Sequence, residues 1–187
     1  MSGAFVGFAG SRALPAWFAP AVCSVVDDVL SSGRGVAVGC AAGADELVRS
    51  CWLGSWQARP ALPPCLVFAR RLYPASTFVG SLARRSAALV RFVADSGPGA
   101  EFVGFPSAPC PAGLVPAPQP SACFAGFGAG TWSALALAAG LGLSVCVVRY
   151  AEASPIPLPA WPGGAWESSV WGSVWVPGGL AARGLWD

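Results

Sequence analysis

Histidine, lysine and asparagine are all absent from this chain of 187 residues. Without histidine, the chain has no Ser-His-Asp or Cys-His catalytic apparatus and no histidine-ligated metal. Because lysine is missing, all 11 positive charges are arginines. The planar guanidinium group of arginine suits the recognition of phosphate and carboxylate groups. The missing residues therefore exclude several kinds of catalysis and leave anion binding open.

Closely spaced cysteine pairs are also missing, since none of the seven cysteines belongs to a C-x-x-C motif. We therefore expect no zinc or other metal, and no cofactor. Cys23, Cys40 and Cys146 lie in apolar segments, which predicts that they are small buried residues. The N-terminus lacks a basic region followed by an apolar core, so a reducing cytoplasm is the expected location.

Charged side chains are scarce, at 11% of the residues, and the net charge is only +2. From Phe102 to Val148 there is no charged residue at all. About 20 apolar residues suffice to span a bilayer, but six prolines between Pro106 and Pro120 interrupt this stretch. The segment therefore favours a buried core, and we expect no membrane association.

Apolar strand patterns alternate with helical patterns through residues 1–150. This alternation predicts an α/β domain whose parallel sheet is covered by helices on both faces. Right-handed crossovers would then give a Rossmann-like, doubly wound sheet of about five strands. The predicted strands are Ala4–Phe8, Val36–Val38, Leu66–Ala69, Phe102–Phe105 and Ser144–Val148. The predicted helices are Ala16–Leu30, Ala44–Trp52, Ser76–Ala94 and Thr131–Leu141.

Two segments depart from the alternation. Residues 106–126 are rich in proline, alanine and glycine, and they form an inserted loop that is either a lid over the ligand edge or a passive insertion. Residues 151–187 are a C-terminal extension rich in proline, glycine and tryptophan, in which Trp171–Val176 could form a strand. Its tryptophans either pack on the domain itself or form an exposed surface. We expect a mixture, with a homo-oligomer assembled through this extension.

Two glycine turns carry the functional signal. Gly7–Arg12 and Val38–Asp45 each follow an apolar run and precede a helix. Glycine at a strand end allows close backbone approach, and a helix N-terminus offers unpaired N–H groups to an anion. Two such turns on neighbouring strands would form one phosphate-accepting crevice. The sequence therefore predicts a nucleotide-type ligand.

Further along the chain lie an arginine helix, Arg85–Val90, and a third glycine turn, Gly128–Thr131. With the two earlier turns, this ordered set resembles the SLOG superfamily, a Rossmann-like group that includes the lonely-guy phosphoribohydrolases and the DNA-uptake protein DprA. The YAcAr-type branch is the most similar, because it pairs G-S-R with a G-G-A-x-G-A-D turn. The resemblance covers about residues 4–149, and the motifs are specific only as an ordered set.

The resemblance implies a nucleotide pocket at the carboxyl ends of the strands. The residues that match its binding motifs are Gly10, Ser11, Arg12, Gly39, Gly43, Ala44, Asp45, Arg85, Gly128, Gly130 and Thr131. The chemistry of these residues agrees with this implication, because turn N–H groups, a threonine hydroxyl and an arginine can together hold phosphate. Asp45 could accept ribose hydroxyls or simply stabilise the start of its helix. Arg12 is either a ligand contact or a surface charge.

Catalysis is less well supported. Lonely-guy enzymes carry P-G-G-x-G-T-x-x-E, whose glutamate assists cleavage of the N-glycosidic bond, whereas Thr131 is followed here by Trp132-Ser133-Ala134. Cleavage of that bond needs an acid or base within reach. Asp45, Glu46 and Arg85 are the weak catalytic candidates. A binding role, in sensing or sequestration, is therefore the leading hypothesis.

Three alternatives remain open: a phosphoribohydrolase-like enzyme, a DprA-like protein that binds single-stranded DNA, and a self-assembling structural protein. A single-strand groove needs a dense basic stripe. Arg70-Arg71 and Arg84-Arg85 are the only basic pairs, and such pairs are typically solvated, so we do not expect nucleic acid as a partner. The low charge and the Trp-rich extension motivate the structural alternative.

Overall fold

The fold is given by a computed structural model that describes residues 3–148 and 156–178. The strands are β1 (Phe5–Gly10), β2 (Gly35–Gly39), β3 (Cys65–Phe68), β4 (Glu101–Phe105), β5 (Ser144–Val148), β6 (Gly164–Ser169) and β7 (Gly172–Pro177). The helices are α1 (Ala19–Ser31), α2 (Ala44–Ala58), α3 (Phe78–Ala94), α4 (Pro120–Cys123) and α5 (Gly130–Gly140). Single 3-10 turns occur at Ala16–Phe18 and Arg70–Leu72.

All seven strands belong to one sheet in the order β3-β2-β1-β4-β5-β7-β6. The first five of these are parallel to one another, and β7 and β6 join the β5 edge as an antiparallel hairpin. The α/β class and the parallel sheet are confirmed. The expected number of about five strands is too low, because the hairpin continues the same sheet. The strand predicted at Trp171–Val176 is present as β7.

Helices cover both faces of the sheet. Val6 and Phe8 of β1 point to one face, whereas Phe5 points to the other, as the two-residue repeat of a strand requires. Helices α1 and α2 pack on the first face, and α3 and α5 pack on the second. Each face buries an apolar cluster, which explains why the parallel strands read as continuous apolar runs.

The helix boundaries differ from the sequence predictions by more than one residue at three points. The first predicted helix is split into the 3-10 turn Ala16–Phe18 and α1, with a proline in the first turn of α1. Helix α2 continues beyond Trp52 to Ala58. Helix α3 begins only at Phe78, because the Thr77 hydroxyl caps it by accepting the Gly80 N–H at 3.0 Å.

The strands and the long helix of the charge-free segment, β4, α5 and β5, lie in the interior of the domain. Helix α5 is buried continuously from Trp132 to Ala139, between β4 and β5 in sequence and packed against α3. Its lack of charged residues follows from this burial on all sides. Among the described residues, no helix is both long enough and apolar enough to cross a membrane.

The proline-rich loop is fixed to the domain by buried contacts. Leu114 and Cys123 are buried, and the Ala117 N–H donates to the Ala136 carbonyl at 3.3 Å. A Cβ atom on Gly140 would lie 2.2 Å from the Ala117 backbone, so the loop lies directly on α5. Of the two alternatives for this loop, the structure favours passive packing over a lid.

The described tryptophans of the extension pack on the domain itself. Trp161 and Trp175 are only 5% and 2% exposed. The Trp161 ring meets the rings of Trp132 and Trp175 edge to face, with ring centres 6.0 and 6.2 Å apart. Trp166 contacts the Trp161 ring, and Trp171 is half-buried. Trp186 lies outside the described residues. An oligomer formed through this extension stays a prediction, and Trp161 and Trp175 are too deeply buried to contribute to its surface.

Trp161 provides a test of this packing. Its indole N–H donates to the buried Leu114 carbonyl at 2.9 Å, joining the extension to the proline-rich loop. We expect Trp161→Phe to lower the free energy of unfolding by about 1–3 kcal/mol, because it removes this bond and part of the ring. Urea denaturation would measure the loss. The matched Trp17→Phe change, at a side chain that is 54% exposed, should alter stability by less than about 1 kcal/mol. Equal effects would contradict the packing role.

The cysteines correct two expectations. Cys23 is half-buried and forms a disulfide with Cys51, which links α1 to α2. Cys40 is exposed, because the chain leaves the sheet immediately after Gly39. Cys146 is buried as expected, and burial raises its thiol pKa to about 12. A disulfide is typical of oxidising environments, so this one argues against the reducing compartment that we expect from the sequence. The cytoplasmic location stays a prediction.

Candidate functional site

The turns that follow β1, β2 and β4 meet at one edge of the sheet, because these parallel strands are neighbours and their carboxyl ends coincide. We call this region, formed by residues 10–13, 39–45 and 105–108, the carboxyl edge. The strand order reverses between β1 and β4, so the chain departs to opposite sides at this point. Ligands of open α/β sheets bind outside the carboxyl ends of the strands at such a reversal.

The first two glycine turns are locked together. The Ala44 N–H donates to the Ser11 carbonyl at 3.0 Å. Gly43 has a φ of +77°, and a Cβ atom there would lie 2.5 Å from the Arg12 carbonyl oxygen. A Cβ atom on Gly10 would lie 2.3 Å from the Ala44 Cβ. Contacts inside the protein therefore require glycine at these two positions. This requirement is separate from the close approach to a ligand that the sequence suggested.

A buried ion pair lies beneath the end of β2. Arg85 Nη1 donates to Asp45 Oδ2 at 2.8 Å, and both side chains are nearly inaccessible to solvent. A Cβ atom on Gly39 would lie 1.7 Å from Arg85 Nη1 and 2.3 Å from Asp45 Oδ2. Gly39 is thus a glycine because the ion pair occupies the place of its side chain.

Burial raises the pKa of the Asp45 carboxyl, against the opposing charge and hydrogen bond of Arg85. The Ala41 N–H also donates to Asp45 Oδ2, at 3.2 Å. Arg85 Nη2 donates to the Ser86 hydroxyl, and its Nε is buried without a hydrogen-bond partner in the described chain. Asp45 and Arg85 are thus engaged with each other, whereas Glu46, the remaining acidic candidate, is exposed.

Two residues at this edge were missed by the sequence analysis. Arg49 donates to the Gly39 and Ala41 carbonyls at 2.6 and 3.2 Å, which fixes the turn after β2. Its position four residues after Asp45 on α2 is the signal that could have found it. Ser107 donates its hydroxyl hydrogen to Ser11 Oγ at 2.9 Å. Ser107 could have been found from its position just after β4, which corresponds to the position of Ser11 just after β1.

Backbone donors are available at two helix starts. Among the described residues, the N–H groups of Asp45 and Glu46 in α2 make no hydrogen bond, and neither do those of Gly130, Thr131 and Trp132 in α5. Free N–H groups at helix N-termini attract anions. Arg12 and Ser107 are exposed beside the first of these helix starts.

The predicted site residues fall into three groups. Gly10, Ser11, Arg12, Gly43 and Ala44 form the interlocked turns, and Gly39, Asp45 and Arg85 surround the ion pair. The third group, Gly128, Gly130 and Thr131, lies at the start of α5. It is tied to the edge through the Trp132 indole N–H, which donates to the Ala108 carbonyl at 2.7 Å. In the described parts of the chain, no hydrogen bond joins the third group to the first two.

The fold and this edge define an α/β domain with a mostly parallel sheet and with polar turns gathered at the reversal of strand order. Comparison with protein-family models finds no match, and comparison with curated proteins finds no significant match either.

Proposed function

We propose that this protein binds a nucleotide or nucleotide-derived ligand at the carboxyl edge, in a sensing or sequestering role. The observation that carries the proposal is the convergence of the turns after β1 and β4 at the strand-order reversal, where the Ser11 and Ser107 hydroxyls lie 2.9 Å apart. A strand order of 3-2-1-4-5 among the parallel strands supports a Rossmann-like fold. It is also compatible with membership of the SLOG superfamily, which the ordered motifs suggest.

An anion at this edge would meet several donors. Arg12 is exposed, and no described carboxylate pairs with it. The unpaired N–H groups of α2 begin beside it, since Ala44 is bonded to Ser11. A guanidinium group and helix N–H groups together recognise phosphate by charge-assisted hydrogen bonds. In this proposal, Arg12 binds the phosphate of the ligand, and Ser11 and Ser107 offer hydroxyl groups beside it.

Binding is favoured over N-glycosidic cleavage by the surroundings of the acidic residues. The position at which the lonely-guy motif carries its glutamate is Ala134, which is buried in the apolar cluster. Asp45 is buried and paired with Arg85. A general acid or base has to reach the bond that it cleaves. Glu46 alone among the named candidates is exposed, and it is the residue to test if base release from a nucleotide is detected.

Arg12→Ala tests the proposal. Loss of a charge-assisted contact to phosphate should weaken the binding of nucleoside monophosphates at least about tenfold. Isothermal titration calorimetry with AMP, GMP, CMP and UMP would measure the affinities, and the thermal midpoint should stay unchanged because Arg12 is exposed. Mass spectrometry of small molecules released from the denatured protein would identify a co-purified ligand.

The matched control is Arg59→Ala, which also removes an exposed arginine but lies at the end of α2 away from the carboxyl edge. It should leave nucleotide affinity unaltered. The proposal fails if no nucleotide binds the unaltered protein, or if Arg12→Ala and Arg59→Ala reduce affinity equally.

A further inference from the structure

A cationic pocket lies beside the carboxyl edge, between the 3-10 turn Arg70–Leu72 and the start of α3. Its volume is about 300 Å³, and we call it the arginine pocket. Arg70, Arg71, Ser76, Thr77, Phe78 and Ser81 line it, together with Pro74 and Ala75. The volume is at the lower end for small-molecule sites and is ample for a phosphate group.

The charge of this pocket is not neutralised by the protein. No acidic residue lines it, and neither Arg70 nor Arg71 forms an ion pair with any carboxylate in residues 3–148 and 156–178. The nearby Arg84 also lacks an acidic partner there and donates to the Pro74 carbonyl. Neighbouring positive charges without counter-charges repel one another and favour an anion between them.

The pocket is held in shape before any ligand arrives. The Arg70 guanidinium lies over the Phe78 ring, with Cζ 4.6 Å from the ring centre. The Ser81 hydroxyl donates to the Tyr73 carbonyl at 2.7 Å, which ties the loop to α3. The Ser76 hydroxyl has no hydrogen-bond partner within the described residues, so it remains available. A preorganised arrangement of donors binds with a smaller entropic loss.

One contact places this pocket next to the carboxyl edge. The Arg70 backbone N–H donates to Cys40 Sγ at 3.1 Å, and Cys40 directly follows Gly39 at the end of β2. The arginine pocket therefore adjoins the turn after β2, which is itself interlocked with the turn around Ser11.

We propose that the arginine pocket binds a phosphate group, through the guanidinium groups of Arg70 and Arg71 and the hydroxyl of Ser76. This phosphate belongs either to the nucleotide of the carboxyl edge, as its second phosphate, or to a separate phosphate compound. The pocket's affinity for phosphate does not rest on the proposed nucleotide function, since its donors are distinct from Arg12 and Ser11.

Calorimetric titration with inorganic pyrophosphate, at constant ionic strength, tests the pocket by itself. We expect saturable binding that Arg71→Ala and Arg70→Ala each weaken at least about tenfold. Arg71 is exposed, so its loss should not affect folding, and the melting curve checks this. Arg91→Ala is the matched control, because Arg91 is an exposed arginine of α3 in a separate groove lined by Pro120 and Phe124. It should change the affinity less than about twofold, since it contributes only long-range charge.

A comparison of AMP with the same nucleotide carrying a second phosphate on its ribose distinguishes the two sources. Tighter binding of the bisphosphate, with an advantage that Arg71→Ala abolishes, assigns the pocket to the nucleotide of the carboxyl edge. Equal affinities, with pyrophosphate binding intact, assign it to a separate phosphate compound. Arg12→Ala should preserve the Arg71-dependent binding of pyrophosphate, so failure of the nucleotide proposal would leave this result standing. Absence of saturable pyrophosphate binding, or equal losses in Arg71→Ala and Arg91→Ala, would overturn the inference.

Discussion

Replacing Arg85 by methionine is expected to lower the free energy of unfolding by about 3–5 kcal/mol at neutral pH. The change leaves the Asp45 carboxylate buried beneath Gly39 without its counter-charge. The Ala41 N–H, at 3.2 Å, would then be its remaining direct hydrogen-bond donor. Methionine keeps much of the apolar stem of arginine, so the loss reports mainly the charge. Urea denaturation followed by circular dichroism measures it.

The pH dependence of this loss has a definite sign. Burial raises the pKa of Asp45 and Arg85 lowers it, so removing Arg85 raises the pKa further above the ordinary value of 3.8. The folded state then holds the proton more tightly than the unfolded state, and stability falls as pH rises through the folded pKa. The deficit of Arg85→Met should therefore be largest at about pH 8 and smaller at about pH 5, where more of the carboxyl is protonated.

Removing both charges provides the control. A chain with Asp45→Ala and Arg85→Met has no charge buried at this site, and buried ion pairs can often be replaced by apolar residues with little loss. We expect the double variant to recover most of the stability lost in Arg85→Met and to lose its pH dependence between pH 5 and about pH 8. If the double variant is as unstable as Arg85→Met at every pH, packing of the guanidinium and not charge is the cause.

The sequence predicted the succession of parallel strands and helices along the chain because the signals for these elements are local. Short apolar runs and apolar helix faces can be recognised within each segment, as for Ser144–Val148, which the structure reproduces at both ends. Of the hairpin β6–β7, the sequence predicted only strand β7. Strand β6 has the polar, half-exposed pattern of Gly164–Ser169, and its place in the sheet depends on pairing with β7, which in turn pairs with the distant β5.

The sequence predicted that the two glycine turns lie at one edge of the sheet, and it missed the contacts that their residues make with the rest of the chain. Both glycine turns do lie at one edge, because parallel strands place their carboxyl ends together. The partners of the individual residues come from remote segments that a single sequence does not connect. Gly39 lacks a side chain because of Arg85 on α3, and Ser11 contacts Ser107, which follows β4. The disulfide between Cys23 and Cys51 likewise depends on how α1 packs on α2.

The interlocking of the two turns leads to the second large effect. Gly43→Ala is expected to lower the free energy of unfolding by about 2–5 kcal/mol, from left-handed backbone strain together with a steric clash. The added Cβ would lie 2.5 Å from the Arg12 carbonyl oxygen and 2.6 Å from its Cα, and these backbone atoms can move only with the whole turn. Urea denaturation measures the loss of stability.

Gly33→Ala is a reference for strain without the clash. Gly33 has almost the same φ, +78°, but no atom lies within 4 Å of the place its Cβ would take. Its loss should be limited to about 1–2 kcal/mol of strain. The additional loss in Gly43→Ala then reports the contact between the turns together with the strain at its ψ of −127°. Displacement of the turn in Gly43→Ala should also weaken the binding of any ligand held by Arg12, whereas Gly33→Ala should leave that binding unchanged. Equal losses in the two variants would mean that the turns after β1 and β2 can separate freely, and the carboxyl edge would then not be a preformed site.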